Sequence, residues 1–344
     1  MSSAVKRFNV VKIILNKSIF DENIIHIILK YYWKDLKNKR KVLLPWIDIE
    51  WLSWDILSEN LNAIDLLKIR IEYENSLSSE DYNNLQHKID WGVLSENLNA
   101  IDLLKKRIEY ENSLSSEDYN NLQHKIHWGV LSRNPNVIEL LTKNQNKIKW
   151  NWLSNNPNAI DLLEKNQDKI DWYWLSKNPN AMHLLESNKQ KIVWDNLSLN
   201  PNAIQLLHNN QDKINWNKLS KNPNAIKILE KNQDKIDWSL LSGNPNAIHL
   251  LENNQDKINW FLLSANPNAI KILESNKNKI DWYILSSNPN AIELLTNNQD
   301  KVDWDYLSIN PNAINILENN QDKINWCWLS QNPSIFEDEP MPII

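Results

Sequence analysis

The sequence predicts an all-α fold, an α-solenoid of tandem two-helix repeats, and three observations carry that prediction. A Trp recurs every 22 residues from Trp128 to Trp326, without an insertion or deletion. Each stands in nearly the same frame, W-x-x-L-S-x-N-P-N-A-I-x-L-L, and a fixed period of this length marks stacked supersecondary units. Ahead of these, Trp54 and Trp91 open two units of 37 residues, in which Ser58–Ile89 and Ser95–Ile126 differ only at Ile69 and Lys106. Neither β-branched alternation nor Gly corners occur, and the chain has only three Gly, so a β-solenoid is disfavoured.

Residues 1–46 carry no repeat. Asp21–Trp33 reads as a capped amphipathic helix with Ile24, Ile25, Ile28 and Leu29 on one face. It is expected to cover the apolar end of the stack as an N-terminal helical cap. Lys34–Lys41 is a basic, solvated stretch, and Pro45 punctuates the approach to the array, assigned to residues 47–332.

The long units have 15 residues more than the short ones. At 3.6 residues per turn this adds about two turns to each of two helices and leaves their faces unrotated. Ser78-Ser79-Glu80-Asp81 supplies a fresh N-cap for the lengthened second helix. In a short unit, Asn156 caps and Pro157 opens a first helix reaching Asn166, with Ala159, Ile160, Leu162 and Leu163 as its apolar stripe. A second helix runs from Asp168 through Trp172 and Leu175. Helix layers roughly 8–10 Å apart stack into a rod or superhelix on the order of 100 Å long. Residues 333–344, with Glu337-Asp338-Glu339 and two prolines, lack the apolar stripe and are expected to leave the array as an acidic tail.

Composition excludes more than it assigns. A formal net charge of −5 supplies no basic footprint for nucleic acid or an anionic membrane surface. The lone Cys327 forms no internal disulfide framework, which fits a reducing compartment. No signal peptide or membrane-spanning run is read. His124 and His127 form an H-x-x-H without a recurring third ligand, and the repeated Ser has no partner His, so no metal, cofactor, small-molecule substrate or catalytic residue is expected. The repeated Trp reads as the core of each layer, the Asn-Pro-Asn as turn and cap chemistry, and the Asp…Lys of Q-D-K as a helix start with a solvated cation.

Recognition in repeat proteins resides where side chains vary inside a fixed frame. The two residues after each Trp vary most: Trp152, Tyr173, Trp174, Phe261, Tyr283, Tyr306 and Trp328 against Asp195, Asn196, Asn217 and Lys218. They point away from the Trp–Leu face and form a candidate partner-binding row, or else pack on the next unit.

Two resemblances extend this reading. Ile19–Tyr32 (I-F-D-E-N-I-I-H-I-I-L-K-Y-Y) resembles the first helix of an F-box, with Glu22, Ile24, Ile25, Ile28 and Leu29 on its acidic-then-apolar pattern. The family's opening Leu-Pro is Ile19-Phe20 here, and Val42 and Trp46 approximate its later Val…Trp portion. The resemblance implies docking on a Skp1-type host protein, as a substrate adaptor for a host ubiquitin ligase. Trp54–Pro333 is similar to the short helical tandem repeats of giant DNA viruses that infect amoebae. That similarity implies a non-enzymatic protein–protein interaction scaffold of viral type, in the host cytoplasm or the virion. The alternative it leaves open is a structural, self-assembling component of a virion or viral factory.

Overall fold

The computed structural model describes residues 40–85 and 87–339. The cap and F-box-like stretch, with Ile24, Ile25, Ile28 and Leu29, lies outside the described residues, as do residues 340–344. The chain is an all-α solenoid of twelve units, each opened by one repeat Trp.

Every unit begins with a short A helix, for example Trp150–Ser154. After the Asn-Pro-Asn turn comes a B helix, Ile160–Glu164, then a 3-10 turn, Gln167–Lys169. Both helices are shorter than the sequence suggests, for local reasons. Asn156 Oδ1 accepts the Asn158 N–H at 2.9 Å, an Asx turn that delays the B helix until Ile160. Ile170 is extended, with ψ 127°, so the expected second helix is cut in two. Asp171 then caps the next A helix by accepting the Tyr173 and Trp174 N–H groups. The break turns Ile170 into the core.

In the long units the B helix extends to 13 residues, Ile64–Ser76 and Ile101–Ser113. A separate helix, Ser79–Asn84 or Ser116–Asn121, replaces the 3-10 turn, and Ser78 Oγ caps the first of these at the Asp81 N–H. Arg107 fixes the extension: its Nε meets Glu111 Oε1 at 3.1 Å, and the same oxygen accepts the Ile126 N–H at 2.9 Å.

The core is leucine and alanine rather than tryptophan. The Leu of W-x-x-L and the Ala and last Leu of N-A-I-x-L-L are fully buried in nearly every unit, as Leu219, Ala225 and Leu229 illustrate. Most repeat Trp side chains are only half-buried, Trp91 and Trp128 excepted. The indole stands at the edge of the layer because a cation lies over it. Lys257 Nζ sits 4.4 Å from the Trp238 ring, and the Lys expected to be solvated does the same in each short unit from Trp128 to Trp304. Arg70 and Arg107 take that place over Trp54 and Trp91.

Buried asparagines join the layers. Asn222 Nδ2 donates to the Ser198 and Asn200 carbonyls of the preceding unit, at 3.1 and 3.0 Å. Asn224 Nδ2 donates to the Pro201 carbonyl at 2.9 Å. The repeated Ser adds another bond: Ser220 Oγ donates to its own Trp216 carbonyl and accepts the N–H of Asp237, the cap of the next A helix. Together these satisfy carbonyls that short helices leave without intrahelical partners.

The same bonds join the last unit to the first. Asn60 Nδ2 donates to the Ser330 and Asn332 carbonyls at 2.9 and 3.0 Å, Asn62 Nδ2 to the Pro333 carbonyl at 2.9 Å, and the Ser53 N–H to Ser330 Oγ at 2.8 Å. The expected rod is therefore a closed ring. Residues 333–338, expected to leave the array as a tail, are built into the closure. Ile335 takes the buried alanine position, and β2 (Phe336–Asp338) pairs antiparallel with β1 (Lys41–Leu43), Val42 opposite Glu337. Phe336 lies where other units start a B helix. The three strand residues from each end of the repeat array, with buried Ile47 and Leu52, replace that missing helix.

Candidate binding surface of the ring

In a closed ring the inner circumference is the shorter, so elements there crowd together. Neighbouring A helices pack directly on one another, as Trp150–Ser154 does on Trp128–Arg133 and on Trp172–Leu175, whereas successive B helices approach less closely. The A helices thus form the inner layer, and the B helices with the long-unit extensions form the outer one. The first residue after each Trp is the exposed one in the short units from Asn151 onward, and the second is mostly half-buried. Both lie on the side of the A helix turned from the B layer, which faces the lumen.

The second position makes a belt. In order round the ring it holds Ile56, Val93, Val130, Trp152, Trp174, Asn196, Lys218, Leu240, Leu262, Ile284, Tyr306 and Trp328. Ten of the twelve are apolar or aromatic, so the belt is interrupted only at units six and seven. The interruption is satisfied internally. Lys218 Nζ meets Asp195 Oδ2 at 2.7 Å and Asn196 Oδ1 at 3.1 Å, while Asn196 Nδ2 donates to the Tyr173 carbonyl. The hydrogen bonds from Lys218 and then Asn215 hold the Asp195 carboxyl below the usual carboxylate range.

The seven candidate aromatic residues divide into groups. Tyr283, Tyr306 and Trp328 form a ladder across three successive units, with ring centroids 4.0 and 5.2 Å apart. A hydrogen bond with Tyr306 pushes the Tyr283 phenol up to about 12. Tyr173 and Trp174 form an edge-on pair at 5.4 Å. Trp152 stands apart, between His127 and the guanidinium of Arg133. Phe261 is half exposed, with no aromatic neighbour among the described residues. The structure thus brings three of the seven into one surface, pairs two, and leaves two separate. The ladder side chains pack on the next unit, and the Tyr283 ring also faces solvent.

Between the two long units lies a cleft of about 820 Å³ walled by Tyr82, Trp91, Tyr110 and Arg107. The Arg107 guanidinium is already held there by Glu111 and the His124 carbonyl and lies over Trp91 and Tyr110. Sequence reasoning missed the asparagine joints, the Lys-over-Trp pairs and the closure. The first two were visible as side chains repeating at the same 22-residue spacing as the Trp.

A family model described as periplasmic copper-binding protein (NosD) matches residues 95–263, just under half of the chain and wholly within the repeats. The residues present do not fit a copper ion. Among the described residues no three His, Cys, Asp or Glu side chains stand together as a metal site. His127 Nδ1 is used as a helix cap for the Val130 N–H at 3.0 Å, and the His183 and His249 rings are paired with Glu164 and Glu230 of their preceding units. No curated protein and no solved structure matches the chain.

Proposed function

We propose that the chain is a non-enzymatic scaffold of viral type whose inner belt captures a protein partner. One observation carries this reading: the Tyr283–Tyr306–Trp328 ladder, exposed at Tyr283, part-buried at Tyr306 and Trp328 and continuous over three units, on a surface with few charges. Large aromatic side chains of this kind, rigid and amphipathic, are the usual anchors of protein interfaces. The scaffold works in the host cytoplasm or the virion. In its adaptor form, the F-box-like Ile24, Ile25, Ile28 and Leu29 dock a Skp1-type protein and the ring holds what is to be modified.

Closure bears on the structural alternative. An open array polymerises by stacking its apolar ends, and here each end is already covered by the other. This favours a discrete receptor over an end-to-end assembly.

The test is capture from amoeba lysate with full-length chain, Tyr306→Ala/Trp328→Ala and Ile25→Asp/Ile28→Asp compared. The ladder variant is expected to lose the captured partner at least tenfold while keeping its melting temperature, and the second variant to lose Skp1 alone. Equal capture by the ladder variant would discard the belt as the receptor. A multimeric mass in light scattering at micromolar concentration would restore the assembly reading.

A further inference from the structure

Eleven of the twelve repeat Trp side chains carry a Lys or Arg over the ring, from Arg70 over Trp54 to Lys323 over Trp304. Trp326 has no such cation among the described residues. In the closed ring its cover comes from the other end of the chain, three residues before Trp54, where each short unit has its Lys. That residue is Trp51, its ring centroid 4.8 Å from Trp326 and edge-on, with Trp46 behind at 6.3 Å. One cation position in the ring is thus filled by a second indole. Trp51 is itself 57% exposed, the most exposed large apolar side chain of the described residues.

We propose that the outer face of Trp51 receives a lysine or arginine side chain from a basic segment of a protein partner. The local charge fits that occupant. Asp48 and Glu50 lie in the same 3-10 turn, Asp55 follows one turn on, and all three are exposed. Lys41, ten residues before Trp51, is engaged with Asp338 at 2.9 Å. An indole face is the best aromatic acceptor of a cation, and acids around it raise the local concentration of basic chains. The site lies at the seam and does not depend on the inner belt, so it stands or falls apart from the proposed scaffold surface.

The experiment uses full-length protein carrying 5-fluorotryptophan, with the Trp51 resonance identified from Trp51→Phe, and decalysine and decaarginine as probes. Decalysine is expected to move the Trp51 resonance and to bind about two- to fivefold more weakly to Trp51→Leu, the range for one exposed cation–π contact. Trp51→Tyr is expected to keep most of the affinity, and Tyr306→Ala/Trp328→Ala all of it. Three results would overturn the proposal: undiminished binding by Trp51→Leu, an unmoved Trp51 resonance, or equal binding of a deca-acetyllysine peptide. The first two would leave only diffuse attraction to the acids, and the third would make the contact apolar rather than cationic.

Discussion

The joint between units six and seven and the joint between the last unit and the first use the same bonds for different ends. In the interior, Asn222 reaches back to Ser198 and Asn200; at the seam, Asn60 reaches back to Ser330 and Asn332 across 270 residues of sequence. The asparagine joint is thus indifferent to chain order, and it defines which units are neighbours. What differs is the filling. Trp194 lies under Lys213 and beside a complete B helix, whereas Trp326 lies under Trp51 and beside two three-residue strands. An open array would leave a leucine layer bare at each end, and closure buries both in one step. Polar specificity is kept at the seam, while regular packing is replaced by improvisation from two chain ends.

The largest expected effect tests whether the ring is closed in solution. In a Cys327→Ser background, Val42→Cys with Glu337→Cys places two thiols directly opposite each other on β1 and β2. A disulfide there ties the ends together and should stabilise the chain by about 4 kcal/mol in urea unfolding, the range for a long closed loop. Failure to oxidise would mean that the strands do not pair.

Next in size is a pair of truncations that compares the joints directly. Asn222→Ala and Asn60→Ala each strand one buried carbonyl, that of Ser198 or Ser330, and remove a second bond to Asn200 or Asn332, whose carbonyls keep the Ala203 or Ile335 N–H. An unsatisfied buried group costs roughly 1–3 kcal/mol and a lost bond about 1 kcal/mol. We expect about 3 kcal/mol from either, read by tryptophan fluorescence in urea. A much smaller cost for Asn60→Ala would make the seam a weaker joint than its hydrogen bonds suggest.

A smaller effect separates the two kinds of cover. Lys257→Met removes the cation from Trp238 and keeps the stem, and should cost about 0.5–1 kcal/mol. Trp51→Met, which removes an edge-on indole from Trp326, should cost a similar amount. A Lys257→Met variant as stable as the parent would reduce the repeated Lys to a solvated side chain, as the sequence alone suggests.

Much of this architecture is legible in sequence because one period governs it. The Trp frame, the leucine stripe and the Ser78 cap are local signals, and each produces the element it indicates. Helix lengths are not legible from propensity. Asn156 and Asp171 compete for backbone N–H groups and shorten both helices, a choice made by side-chain hydrogen bonds. Closure is also invisible locally, since nothing in Phe336–Asp338 or Lys41–Leu43 identifies its partner. The candidate site shows the same division. Variable positions after Trp are readable, but their contacts are not: Tyr283, Tyr306 and Trp328 stack across three units, while Trp152 meets His127 and Arg133 instead.

The finest probe of the seam is a titration. Gln331 Nε2 donates to Glu59 Oε2 at 2.5 Å across the joint, at the position where Arg133 pairs with Glu96 in the interior. Burial pushes the Glu59 carboxyl above its usual range; the Gln331 bond opposes this and Glu96 adds to it. A folded pKa above the unfolded one means that the ring prefers Glu59 protonated. Its contribution is fully present below the unfolded value of about 4.5 and is lost as pH rises through the folded value. Glu59→Gln should therefore stabilise the ring at pH 7 by a few tenths of a kcal/mol, the scale of exposed charge contacts, and change nothing at pH 4. Melting curves of both proteins across that range should separate with rising pH. A variant less stable at pH 7 would mean that Gln331 holds Glu59 as a carboxylate, making the seam a polar clasp that acid loosens.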